Sequence, residues 1–137
     1  MIIRLDKNSE DPLYLQIRAQ IIEAIARESL APGDPLPSVR SLAQDLGINL
    51  HTVNKAYAVL RDEGYLLLKG RKGAFIADPF EKASEGKAII ERQRLEEGLR
   101  NLAIQAKAQG RTKNDFSELL AGTVEEVFGG EVGNHDG

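Results

Sequence analysis

Ser38, Arg40, Asn49, His51, Thr52, Asn54 and Lys55, joined further on by Lys69, Arg71 and Lys72, concentrate hydrogen-bond donors, acceptors and positive charge in one short stretch. Groups of this kind recognise a ligand without reacting with it, since Asn and Arg match base edges while Lys and Arg match phosphate oxygens. They are poorly suited to covalent chemistry. The chain has no cysteine, which excludes a disulfide, a thiolate nucleophile and a thiolate metal site. Its two histidines are His51 and His135, and neither has carboxylates at a spacing that completes a catalytic pair or a metal site. No G-x-S-x-G, phosphate-binding loop or dinucleotide fingerprint occurs. No enzymatic activity, no cofactor and no metal ion is expected.

Two helices set at an angle would position these side chains. Ser38 is a good N-cap, and Val39, Leu42, Ala43 and Leu46 follow at helical spacing on one apolar face. Gly47 ends that helix, because a left-handed residue there has no Cβ to clash. Asn49 is a second N-cap only two positions on, so a new helix starts at once and crosses the first steeply, as in helix-turn-helix units. Val53, Ala56, Tyr57 and Leu60 form its apolar set. That leaves Leu50, His51, Asn54, Lys55 and Arg61 free to face solvent or a ligand, with Thr52 at the margin. A helix whose first turn carries such groups suits the major groove of DNA.

Glu63 and Gly64 close this third helix, and two short apolar segments, Tyr65–Leu68 and Ala74–Ile76, flank the basic turn Lys69–Gly73. They read as a hairpin, which in this position is a wing whose cations meet phosphates or enter the minor groove. The GxxG spacing of Gly70 and Gly73 also occurs in RNA-clamping loops, but those join two helices and this one joins two strands. Upstream, Asp11 is expected to cap and Pro12 to open a first helix with Leu13, Ile17, Ile21 and Ile25 on its apolar stripe, widened by Tyr14 and Ile22, ending near Ser29. Residues 2–5 form a strand or arm before it, and Pro32, Gly33, Pro35 and Pro37 a rigid turn after it.

The run Leu30–Arg40 (LAPGDPLPSVR), followed by Leu46–Asn49, Thr52 and Val53, Lys55–Tyr57 and Glu63–Tyr65, resembles the GntR transcriptional regulators over residues 1–78. Asn49, Thr52, Val53, Ala56 and Tyr57, with a short C-terminal region, are most similar to the YtrA-like subgroup. The resemblance implies a cytoplasmic bacterial protein, a homodimeric repressor that binds double-stranded DNA at an inverted-repeat operator. It also implies DNA contacts by Ser38 and Arg40, by Asn49, His51, Thr52, Asn54 and Lys55, and by Arg71, Lys72 and Gly73 in the wing. Leu50 stands within that row, where many relatives carry proline or a polar residue, and Arg71 stands where the family often has glycine.

Length and composition suit one domain with an appendage: 137 residues, 42% of them hydrophobic. The net charge of −3 is unusual for a nucleic-acid binder, whose domain is commonly basic. Residues 1–80 hold ten Lys and Arg against ten Asp and Glu, and the remainder eight against eleven, so the acidity lies in the C-terminal part. No apolar run approaches the roughly 18 residues of a membrane span, and the N-terminus lacks a signal-peptide pattern.

After Asp78 and Pro79 the pattern changes to long helices. One begins near Phe80 and carries Leu95, Leu99, Leu102 and Ala106 until Gly110, with Gly98 inside it implying a close packing partner or a bend. Thr112 then caps another, with Asp115 in its first turn and Phe116, Leu119, Leu120, Val124 and Val127 along its stripe. The mixed charges Lys82, Lys87, Arg92 and Arg94 among Glu81, Glu85, Glu91, Glu96 and Glu97 read as a solvated helix face. Two such helices cannot close a core alone, so a second copy is expected to cover Leu95, Leu99, Leu102, Phe116, Leu119, Leu120 and Val124.

The expected fold is α+β: a winged helix-turn-helix DNA-binding domain over residues 1–78, a helical dimerisation hairpin over 79–130 and a disordered tail over 131–137. A small-molecule effector is left open by the residues, as is a winged helix that serves protein contact alone.

Overall fold

The computed structural model describes residues 1–79 and 85–129, in two units, Met1–Glu81 and Lys82–Gly137. The first unit contains α1 (Leu13–Ala26), β1 (Pro35–Leu36), α2 (Val39–Leu46), α3 (Leu50–Asp62), β2 (Leu66–Leu68) and β3 (Ala74–Ile76). The strands form an antiparallel sheet in the order β1-β3-β2. This is the winged helix-turn-helix expected from the residue pattern.

Its core is built on α3. Val53, Ala56, Tyr57 and Leu60 are all buried, and they meet Ile17 and Ile21 of α1, Leu42 and Ala43 of α2, and Leu66, Ala74 and Ile76 of the sheet. Val39 and Leu46, expected on the same apolar face of α2, pack at its edge. The Tyr57 hydroxyl donates to the Pro37 carbonyl at 2.7 Å, which ties the middle of α3 to the residue just before α2. At the other end of α3, the Arg18 guanidinium donates to both carboxylate oxygens of Glu63 at 2.6 and 3.1 Å. That hydrogen-bonded partner raises the Arg18 pKa, so the guanidinium stays charged. Together the two contacts fix α3 against both other helices.

The helix ends follow from backbone chemistry. Ser38 Oγ accepts from the Ser41 amide at 3.0 Å and Asn49 Oδ1 from the His51 amide at 2.7 Å, so both expected caps form. Gly47 is left-handed, φ 67°, and lets the Ile48 amide reach back to the Ala43 carbonyl. Only one residue then separates it from the cap of α3, which sets the sharp turn.

Several expectations are corrected. Asp11 does not cap α1: the helix opens after Pro12 with no side-chain cap, and the Asp11 carbonyl instead accepts from the Gln16 side chain. The helix stops at Ala26, not near Ser29, because Glu28 adopts a left-handed φ of 64° and the Ser29 amide closes on the Ala24 carbonyl. A glycine usually marks that closure, and its absence concealed the stop. Pro35 and Leu36, expected within a turn, form β1, an edge strand in which the missing proline N–H is tolerated. Of the two readings of residues 2–5, strand or arm, the arm is the one found. Gln20 exchanges hydrogen bonds with both backbone groups of Arg4, and Gln16 with those of Asp6, so side-chain amides satisfy the backbone where a neighbouring strand would.

In the second unit, α4 (Glu85–Ala108) and α5 (Lys113–Phe128) are the described elements. Thr112 caps α5 by accepting from the Asp115 amide, and Asp115 also pairs with Arg111 at 3.0 Å. Gly98 lies in an unbroken helix and a Cβ there would meet nothing, so no packing partner among the described residues accounts for it. The start of the helix near Phe80 and the tail 131–137 lie outside the described residues. Of the hydrophobic side chains described in this unit, Ala106 alone is buried. Leu95, Leu99, Leu102, Leu119, Leu120 and Val124 are exposed and Phe116 is half-buried.

Burial pushes the Tyr57 phenol well above its ordinary value, so it remains a donor. In the unfolded chain a phenol ionises near about pH 10, so the stability carried by the neutral group is full below that pH and is lost as pH rises past it. Tyr57→Phe is expected to cost about 1 kcal/mol near neutrality and to reduce the alkaline loss. Urea unfolding near neutral pH and again above the phenol range measures both effects.

Candidate nucleic-acid interface

The N-terminal turns of α2 and α3 converge on one side of the first unit. Ser38, Val39, Arg40, Leu50, His51 and Asn54 line a shallow cleft of about 450 Å³ between them. Of the residues expected at the site, Ser38, Arg40, Leu50, His51 and Asn54 are therefore brought together. Helical spacing turns His51 and Asn54 away from Val53, Ala56 and Tyr57, which the core claims, while Leu50, one turn before Val53, continues the edge of that row and is nevertheless exposed. Arg40 is the second residue of α2 and is exposed. Its guanidinium forms no ion pair among the described residues.

Asn49 and Ser38 have structural duties before any other, since each side-chain oxygen already accepts a backbone N–H as a cap. The Asn49 amide nitrogen and the Ser38 hydroxyl proton remain available to donate. Thr52 is half-buried beside the cleft and does not line it. Lys55 is also outside the cleft. Its ammonium lies 4.1 Å from the centre of the Tyr14 ring, a cation–π contact that places the charge beside the start of α1. Tyr14 was legible as part of the apolar stripe of α1, but nothing in local spacing connects it with Lys55.

The wing carries the second group of cations. β2 pairs with β3 in the register Leu66 with Ile76 and Leu68 with Ala74, and the tip between them contains a single 3₁₀ turn over Gly70–Lys72. The Lys69 amide donates to the Gly73 carbonyl at 2.9 Å, closing the tip. Gly73 has φ 101°, which side-chain-bearing residues rarely adopt, and it lets the chain re-enter β3 directly after the basic turn. Arg71 and Lys72 are exposed and unpaired among the described residues, while Lys69 lies 5.3 Å from the centre of the Phe75 ring. Val39 lines the cleft although its spacing assigns it only to the core face of α2.

A concave row of hydrogen-bonding groups at two helix starts, with cations unpaired among the described residues on the hairpin, is chemically suited to a polar anionic surface. Among the described residues no cluster of metal-ligating side chains occurs, and no helix is long and apolar enough to cross a membrane.

Residues 13–76 match the bacterial regulatory proteins of the gntR family. The chain is 35% identical over 132 residues to the HTH-type transcriptional repressor YtrA of Bacillus subtilis, spanning 95% of this chain and 98% of that protein. The solved structure of YtrA from Sulfolobus acidocaldarius, a GntR-family transcription factor, is 36% identical and covers 91% of this chain and 98% of its own, with a TM-score of 0.54. A transcriptional antiterminator from Listeria monocytogenes is 26% identical, with 96% of both chains covered and a TM-score of 0.79. With the helix-turn-helix, the wing and these likenesses in agreement, the chain belongs to the GntR family of bacterial regulatory proteins and is similar to YtrA within it.

Proposed function

We propose that this regulator binds duplex DNA sequence-specifically as a homodimer, at an inverted-repeat operator in the cytoplasm, and represses transcription by occupying the promoter. The observation that carries the reading is the cleft in which Ser38, Arg40, Leu50, His51 and Asn54 face outward together. Residues 1–78 would be the DNA-binding domain. Arg40 and the first turn of α3 would read base edges in the major groove, while Asn49, Thr52 and Lys55 at the flank and Arg71, Lys72 and Gly73 at the wing would hold the backbone. The first unit's near-zero net charge does not oppose this, because phosphate contact depends on charges within a Debye length of about 8 Å. The family consists of regulators, not enzymes.

Residues 79–130 would supply dimerisation. The exposed apolar residues of α4 and α5 support it, since two helices with one buried hydrophobic side chain between them gain little from folding alone. A two-fold dimer would set the two copies of α3 roughly 34 Å apart, or a multiple of that, to match successive major grooves on one side of the duplex.

Arg40→Ala is expected to weaken operator binding by about 1 to 3 kcal/mol and to relax the base preference at one position per half-site. Selection of bound sites from random DNA with each protein measures both, and unchanged preference would remove Arg40 from base reading. Lys72→Ala should instead weaken all sequences alike and lower the salt slope of binding by about one. A pair of charges on the helical hairpin, Leu99→Glu with Leu120→Glu, removes no core contact within the chain. It should halve the mass seen by sedimentation and lower operator affinity with it. A dimeric double variant of full affinity would place the interface elsewhere.

A further inference from the structure

Leu50 is a cleft residue whose presence hydrogen bonding does not explain. It is the first residue of α3, it is 40% exposed, and it is not among the side chains packed on the core. Around it stand Ser38, Arg40, His51 and Asn54, all of which offer polar groups to the same cleft. Val39 is the only other apolar lining residue, and it packs partly against the core.

An isolated leucine in a row of donors and acceptors constrains what can lie opposite it. Pressed against the major-groove edge of guanine, cytosine or adenine, it would strip water from a donor or acceptor and return no hydrogen bond, which is unfavourable. One base carries a methyl group on that edge. The C5-methyl of thymine is hydrophobic and projects into the groove, where a contacting aliphatic side chain removes both surfaces from water. The position also suits such a contact, because a docked helix brings its N-terminal residues to the base edges.

We infer that Leu50 is a specificity residue that selects thymine in each half-site through its C5-methyl group, beside the positions read by Arg40 and Asn54. The inference rests on the DNA-reading role proposed above and adds to it the identity of one base. Proline or a short polar residue in this place would lack the reach or the apolarity for that methyl.

Deoxyuridine pairs as thymidine does and lacks only the methyl, so it isolates the contact. In the operator selected from random DNA, each thymine is replaced singly by deoxyuridine, and binding is measured for the wild-type protein and for Leu50→Ala. Leu50 is exposed, so the variant keeps the core intact. At one position per half-site, the wild-type protein should lose about fourfold in affinity, the worth of one buried methyl. Leu50→Ala should bind the thymine and deoxyuridine duplexes equally there. Wild-type affinity unchanged at every thymine overturns the inference while leaving the DNA-binding role standing. So does an equal loss in wild type and variant, which would assign the effect to DNA stiffness. Absence of binding to any duplex at low salt would overturn the DNA-binding role itself, and the inference with it.

Discussion

The position of α3 is the constraint on which the first unit depends. Its buried row, Val53, Ala56, Tyr57 and Leu60, faces α1, α2 and the sheet at once, so a rotation of the helix about its axis would expose several large side chains together. The Tyr57 hydroxyl on Pro37 and the Arg18 pairing with Glu63 limit the remaining sliding motion. The cleft inherits this rigidity. Ser38 and Arg40 come one and three residues after Pro37, and Leu50, His51 and Asn54 belong to the helix that carries the buried row, so both walls of the cleft are referred to the same packed helix.

Electrostatics in this unit is local in character. Arg61 pairs with Asp62 and Arg18 with Glu63, both toward the C-terminal end of α3. Arg40 at the start of α2 and Arg71 and Lys72 at the wing tip have no such partners among the described residues. Acidic groups therefore neutralise cations near the C-terminal end of α3 and leave those at the start of α2 and at the wing tip unpaired among the described residues. Net charge averages these regions and hides the distinction, which is why a first unit near neutrality is compatible with an anionic partner.

The second unit has the opposite balance of order and burial. α4 and α5 are long and α5 is well capped, yet their aliphatic residues are mostly exposed. Exposed aliphatic residues in this number are what the proposed dimer interface would cover. Gly98 belongs to the same description: it leaves space on α4 that none of the described residues fills.

Much of this was already written in residue order. The caps at Ser38, Asn49 and Thr112, the left-handed stop at Gly47 and the buried spacing of Val53, Ala56, Tyr57 and Leu60 depend on near neighbours, and chemistry within one or two helical turns determines them. The hairpin Leu66–Ile76 and the outward set of α3 follow from the same local rules. The structure was required where partners are distant in sequence. Gln16 and Gln20 hold an extended arm, Pro35 and Leu36 become a strand only because Phe75 and Ala74 lie beside them, and Glu28 takes a glycine-like conformation that its type does not announce. Lys55 meets Tyr14 across the α1–α3 packing, and Val39 reaches the cleft only once α2 and α3 have crossed. Sequence by itself determined which residues face outward, because helical periodicity is local. Tertiary structure decided which of them share a surface, because that depends on how the helices cross.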